Sequence, residues 1–242
     1  MQLLFDDRLA PLTSEIGFLK ADCTVAAQAF VEWQRPIQQA RGVTLREQSV
    51  VGHLEDVLQR LLPLTSIERR RFLFIPTASQ WVAYVDSGYR GTDAMSAVSY
   101  LAKRIGCSGL RLVAVPDTIQ DESTLARGRY GATILEIYGP EDTDFLNYVR
   151  SLSVVNDGGK WTFDQGGTPL PFEDIERYRI RDIKRRFDFN ILQDYLKELG
   201  LSPFDEEFYL PASNNKAVLI EKVGPVASGL KEFTLSEARI NY

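Results

Sequence analysis

Histidine is nearly missing from this chain: His53 is the only one in 242 residues. One imidazole and two distant cysteines cannot close a tetrahedral zinc site, and a catalytic histidine needs a nucleophile positioned beside it. No GxSxG, HExxH, P-loop or GxGxxG pattern occurs, so nucleophile-elbow, zincin and nucleotide-loop chemistry lack their residues. The GCSGLR stretch around Cys107 has two glycines at the wrong spacing, and it follows a helix pattern instead of opening one. His53 therefore reads as a surface or helix-capping residue rather than a general base. Cysteine is almost as scarce. Cys23 and Cys107 lie far apart and belong to no CxxC pair, which suits two reduced, half-buried thiols of a reducing cytosol better than a disulfide.

No apolar run approaches the roughly 18 residues of a membrane span. The opening MQLLFDDRLAPLTSEIG has neither the basic region nor the apolar stretch of a signal peptide. The expectation is a soluble, cytoplasmic protein with no membrane contact. Positive charge is not in excess either: 28 basic against 33 acidic residues leave a net charge of −5. That balance argues against a general nucleic-acid binder and suits a basic protein partner.

What is present is an ordinary globular composition, 44% apolar and 25% charged, too apolar for intrinsic disorder. The patterning predicts α+β: a mixed or mostly antiparallel sheet packed with amphipathic helices, in one compact domain over 1–242 that could divide into 1–146 and 147–242. Helix periodicity follows Asp22 (Ala26, Ala29, Phe30, Trp33, Ile37, with Pro36 ending or kinking it), Gly52 (Leu54, Val57, Leu58, Leu61) and Asp188 (Ile191, Leu192, Tyr195, Leu196, Leu199). The strongest helix has Thr92 as its cap, Asp93 at the positive end of its dipole, and Gly106 as its stop. Strand patterns cover 43–50, 70–77, 80–88, 110–116, 130–139 and 217–223. Two more flank Asn156-Asp157-Gly158-Gly159, a hairpin-turn signal. A charged helix is expected from Phe172 to about Arg186, and the tail after Gly224 shows little periodicity.

The segment DSGYRGTD joins a strand to the strongest helix and gathers Asp86, Tyr89, Arg90 and Asp93. Arg90 could clamp a carboxylate or phosphate while the helix start supplies amide donors. The plainer reading needs only a glycine turn, a helix cap and a local Asp86–Arg90 pair. Asp117, Asp121, Glu122 and Glu136 add carboxylates without calcium-loop spacing, so no metal and no cofactor are expected. In ERYRIRDIKRRFD, arginines alternate with acids; Glu173–Arg177 and Asp182–Arg186 lie four apart in the favourable order. That run reads as a solvated helix rather than a nucleic-acid surface, with Ile180, Ile183 and Phe187 as the stripe beneath. Most of the aromatics sit where a core would use them.

The segments WVAYVDSGYRGTD and GTPLPFE, the second followed by a charged stretch, resemble a group of bacterial proteins without an assigned activity, over roughly 80–200. Some small acidic bacterial proteins of this general look are immunity proteins, and the resemblance implies a tight one-to-one complex with a toxin. Two functional expectations stand. One is a non-enzymatic binding protein, immunity- or antitoxin-like, with aromatic anchors inside an acidic rim. The other is a small-molecule or phosphate-handling enzyme centred on Asp86, Arg90 and Asp93.

Overall fold

The computed structural model describes residues 3–119, 128–210 and 216–240. In chain order the elements are β1 (Glu15–Leu19), α1 (Cys23–Gln39), β2 (Thr44–Val50), α2 (Leu54–Gln59), β3 (Leu64–Thr65), β4 (Arg71–Pro76), β5 (Val82–Asp86) and α3 (Ala94–Ile105). There follow β6 (Gly109–Val115), β7 (Ala132–Tyr138), β8 (Tyr148–Asp157), β9 (Lys160–Gly167), α4 (Phe189–Glu198), β10 (Ala217–Val223), β11 (Glu232–Phe233) and α5 (Leu235–Ile240). Nine strands form one antiparallel sheet in the order β2-β10-β4-β5-β1-β6-β7-β8-β9, and β11 pairs with β3 in a small second sheet. The fold is α+β, as the patterning predicts.

β10 inserts between β2 and β4, while β8 and β9 extend the opposite end, so chain from both sides of position 146 builds a single sheet.

Strand alternation divides the side chains between two cores. On one face α1 and α3 bury Phe30, Phe74, Tyr84, Val98 and Leu101. On the other, the N-terminal turn, α2, α4 and the chain before α4 cover Phe18, Leu112, Leu135 and Leu152. The tight seat of α3 depends on two glycines. A Cβ on Gly17 would lie 2.5 Å from Val98 Cγ2, and one on Gly109 would lie 2.7 Å from Val98 Cγ1.

Local signals explain the helix starts. Asp22 accepts from the N–H groups of Thr24 and Val25, and Asp188 from those of Asn190 and Ile191. Thr92 does not cap α3. Its hydroxyl accepts from the Asp86 N–H, and Glu15 of β1 meets the Ala94 N–H at 2.7 Å. α1 runs one turn past Pro36, to Gln39.

The expected charged helix over 172–186 is corrected to two short 3₁₀ turns, Arg177–Arg179 and Ile183–Arg185, in otherwise irregular chain. The cause is Glu173. Instead of facing solvent to pair with Arg177, it enters the core, where Arg150 Nε and Nη2 donate to its two oxygens at 2.9 and 2.6 Å. Both side chains are 1% exposed. Arg177 pairs with Asp188, and Arg186 donates to the Ile180 carbonyl instead of meeting Asp182. Lys184 and Arg186 fold over the rings of Trp161 and Phe163 on β9.

Removing one member of the buried pair strands a charge. Glu173→Gln should cost about 3–5 kcal/mol in urea unfolding, whereas Arg150→Met combined with Glu173→Leu should recover most of that loss.

Candidate functional site

Asp86 closes β5 and is 1% exposed. Its carboxylate accepts from the N–H groups of Gly88 (2.9 Å) and Asp93 (3.1 Å) and from the Tyr84 hydroxyl (3.4 Å), with Arg69 Nε 3.7 Å away. Burial pushes the Asp86 carboxyl up to about 6, against the pull of Arg69 and the two amides. Gly91 turns the loop at φ +98, a conformation that favours glycine, and a Cβ there would stand 2.9 Å from the Pro11 carbonyl oxygen. Ser87 ties the same loop to β4, accepting from the N–H groups of Arg70 and Arg71.

The four residues singled out by sequence part company here. Asp86 and Asp93 border a 370 Å³ cavity beside Arg69. Tyr89 turns the other way and stacks on Phe233 of β11 at 4.9 Å, while the Arg90 guanidinium sits 5.3 Å above the Tyr89 ring. The expected Asp86–Arg90 pair is replaced by Asp86–Arg69, and Arg69 Nη2 also lies 3.6 Å from Asp93. Arg69 belongs to the β3–β4 connection, so nothing in the DSGYRGTD segment announces it.

The remaining candidates have structural surroundings. Asp117 accepts from the Gly131 N–H and the Asn156 amide. Glu136 pairs with Arg111 at 3.0 Å and accepts from the Tyr138 hydroxyl. Asp121 and Glu122 lie outside the described residues. Among the described residues no cluster of His, Cys, Asp and Glu is arranged to hold a metal. His53 precedes α2, exposed and without a side-chain capping bond. Both cysteines are free, and burial, aided by Asp22, pushes the Cys23 thiol up to about 12, so it stays a thiol. A larger cavity of 610 Å³ lies beside Phe5, Lys197 and Phe204, away from all four loop residues.

A second surface emerges at the far end of the sheet, which no single motif marks. The helical layer ends near β7. Beyond it, Glu136, Ser151, Ser153 and Asp164 line an open 420 Å³ groove on the side that α3 leaves bare. The β7–β8 loop forms its wall. Asn147, 2% exposed, holds that loop to α3: its amide donates to the carbonyls of Ser99 and Gly139, and its oxygen accepts from the Ser99 hydroxyl at 2.6 Å. Lys103 of α3 pairs with Asp142. So anchored, the loop presents Phe145 at 68% and Leu146 at 52% exposure, with Val149 beside them. Glu141, Asp144 and Asp164 around this patch have no ion-pair partner among the described residues.

No protein-family model, curated protein or solved structure matches the chain. No helix among the described residues is long and apolar enough to cross a membrane.

The Asp86 carboxyl holds its proton more tightly when folded, at about 6 against an ordinary 3.8. Acidification through that interval therefore favours the native state, and the gain is lost as pH rises through about 6. Between pH 7 and pH 5, urea unfolding should show the wild type gaining about 1 kcal/mol relative to Asp86→Asn. An unchanging difference would mean that this carboxylate is not desolvated.

Proposed function

We propose that this chain is a non-enzymatic binding protein that sequesters a basic protein partner on the bare end of its sheet, as an immunity or antitoxin-like factor holds a toxin. One observation carries the reading: Phe145, 68% exposed, stands on a loop pinned by buried Asn147 and shares its groove with Asp144 and Asp164. An exposed aromatic of this size is a suitable anchor for a partner's pocket, and its tethered loop reduces the ordering cost of association. The unpaired carboxylates around it favour a partner of opposite charge and speed its approach. The net charge of −5 acts in the same sense. The alternative of an enzyme built on Asp86, Arg90 and Asp93 draws less support, because Arg90 lies over Tyr89 and away from both carboxylates.

Affinity capture from the native cell extract, purification of the retained protein and calorimetric titration test the proposal. The expected result is one basic partner bound one-to-one, with Phe145→Ala weakening it by about 2 kcal/mol. Asp144→Asn combined with Asp164→Asn should slow association at low salt and flatten its dependence on ionic strength. A partner that binds both variants as tightly and as fast as the wild type would exclude this face.

A further inference from the structure

The 370 Å³ cavity at the other end of the helical face has a composition unlike that of the groove. It opens between α1, α3 and the β3–β4 connection, with Phe30, Trp33, Phe72 and Tyr84 among its walls. Phe30 packs on Phe72 at 4.7 Å between ring centroids and on Tyr84 at 6.1 Å, giving an apolar interior. Its ionic groups are divided by sign. One set comprises Asp86 and Asp93, with Arg69 alone between them at 3.7 and 3.6 Å. That set carries one more negative charge than positive when all three are ionised.

The other set comprises Lys222, Arg41 and Glu68, with Arg70 behind. Glu68 is shared by Arg70 (3.1 Å) and Lys222 (3.5 Å), and it also accepts from the Ala227 N–H. Arg41 has no carboxylate partner among the described residues. Three cations thus face one carboxylate. The Lys222 ammonium feels the excess: burial lowers its affinity for the proton, Glu68 opposes this, and Arg70 and Arg41 lower it further. The acidic set also holds a donor without an acceptor where it meets the cavity. Among the described residues the guanidinium of Arg69 makes no hydrogen bond, and its buried Nε has no hydrogen-bond partner.

An aromatic interior with an acidic set and a cationic set selects a ligand of matching polarity. We propose that this cavity binds a zwitterionic amino-acid-type molecule with an apolar side chain. Its carboxylate meets Arg41 and Lys222, its ammonium meets Asp93, and its side chain lies against the rings of Phe72 and Trp33. A simple anion would meet Asp86 and Asp93, and a simple cation would meet Lys222 and Arg41, so neither satisfies both sets. The volume falls near the lower end of small-ligand cavities, roughly 300–1,000 Å³, and suits an amino acid or a dipeptide.

Calorimetry and ligand-observed NMR on the full chain should use free phenylalanine and leucine, the dipeptide Phe-Leu, N-acetylphenylalanine and phenylalanine amide. The expected result is binding of at least one zwitterion, with each singly blocked compound weakened about tenfold or more. Whether the free amino acid or the dipeptide binds more tightly identifies the source. Arg41→Ala and Asp93→Asn, both at exposed side chains, should each weaken the best ligand about tenfold while thermal unfolding stays unchanged. Absence of binding by every zwitterion at millimolar concentration would overturn the assignment. Equal binding of the blocked compounds, or an effect of neither substitution, would do the same. None of these outcomes bears on the groove beside Phe145, so the two readings stand or fall separately.

Discussion

The buried Arg150–Glu173 pair determines what the far end of the sheet can do. Putting both charges at 1% exposure is costly, and their mutual attraction offsets that cost only when the surrounding donors and acceptors are also satisfied. Here they are. Arg150 also donates to the carbonyls of Gly166 and Gly167 and to Gln165, and Glu173 also accepts from the Leu170 N–H and the Tyr178 hydroxyl. The pair thereby fastens the irregular chain before α4 under β8 and β9, where an unattached segment so rich in charge would stay in solvent. It also sets the facing of β8. With Arg150 inward, strand alternation sends Ser151 and Ser153 to the opposite side, which no helix among the described residues covers. One face of these strands is closed by an ion pair and the other is left open.

This arrangement explains which parts of the fold were legible in the sequence. Strands and helices with strong periodicity, such as β6, α3 and α4, announce themselves because one face of each is buried over its length. The Asn156–Gly159 turn was legible for a local reason, since Gly158 and Gly159 both take positive φ between β8 and β9. β1 was missed. It is short and buried along most of its length, and it contains Gly17, whose lack of a side chain reflects the approach of α3 and not a turn. The small β11 and α5 were missed because two paired residues and six helical ones leave no period to read. The 172–186 helix failed instructively. Its i,i+4 charges favour a helix in isolation by a few tenths of a kcal/mol each, whereas one buried ion pair makes a much larger demand on the backbone.

The candidate sites divide the same way. Asp86 and Asp93 could be found because a strand, a glycine turn and a helix start stand together in the sequence. Their arginine could not, because Arg69 reaches them from another connection, and only the pairing of β4 with β5 makes them neighbours. The four-residue grouping divides in space: Asp86 and Asp93 border a cavity, while Tyr89 stacks on Phe233 of β11 with Arg90 over its ring. The groove beside Phe145 left a fainter trace. PEDTDFL reads as an acidic loop, and only the sheet order shows that the strands it joins lie beyond the helical layer.

α3 is the physical element common to both sites. Its first turn contributes Ser96 and Ala97 to the cavity, while Ser99 and Lys103 hold the loop that carries Phe145. Coupling between two sites requires such a shared element to have two arrangements that each ligand prefers differently. α3 has little freedom of that kind. Val98 sits so close over Gly17 and Gly109 that even a methyl group on either would collide with it, and Glu15 holds the Ala94 N–H at 2.7 Å. A sliding helix would have to break those contacts against a close-packed core before either site felt the other. The structure therefore favours two independent surfaces on one rigid face, a small dipolar cavity at one end and an acidic aromatic groove at the other.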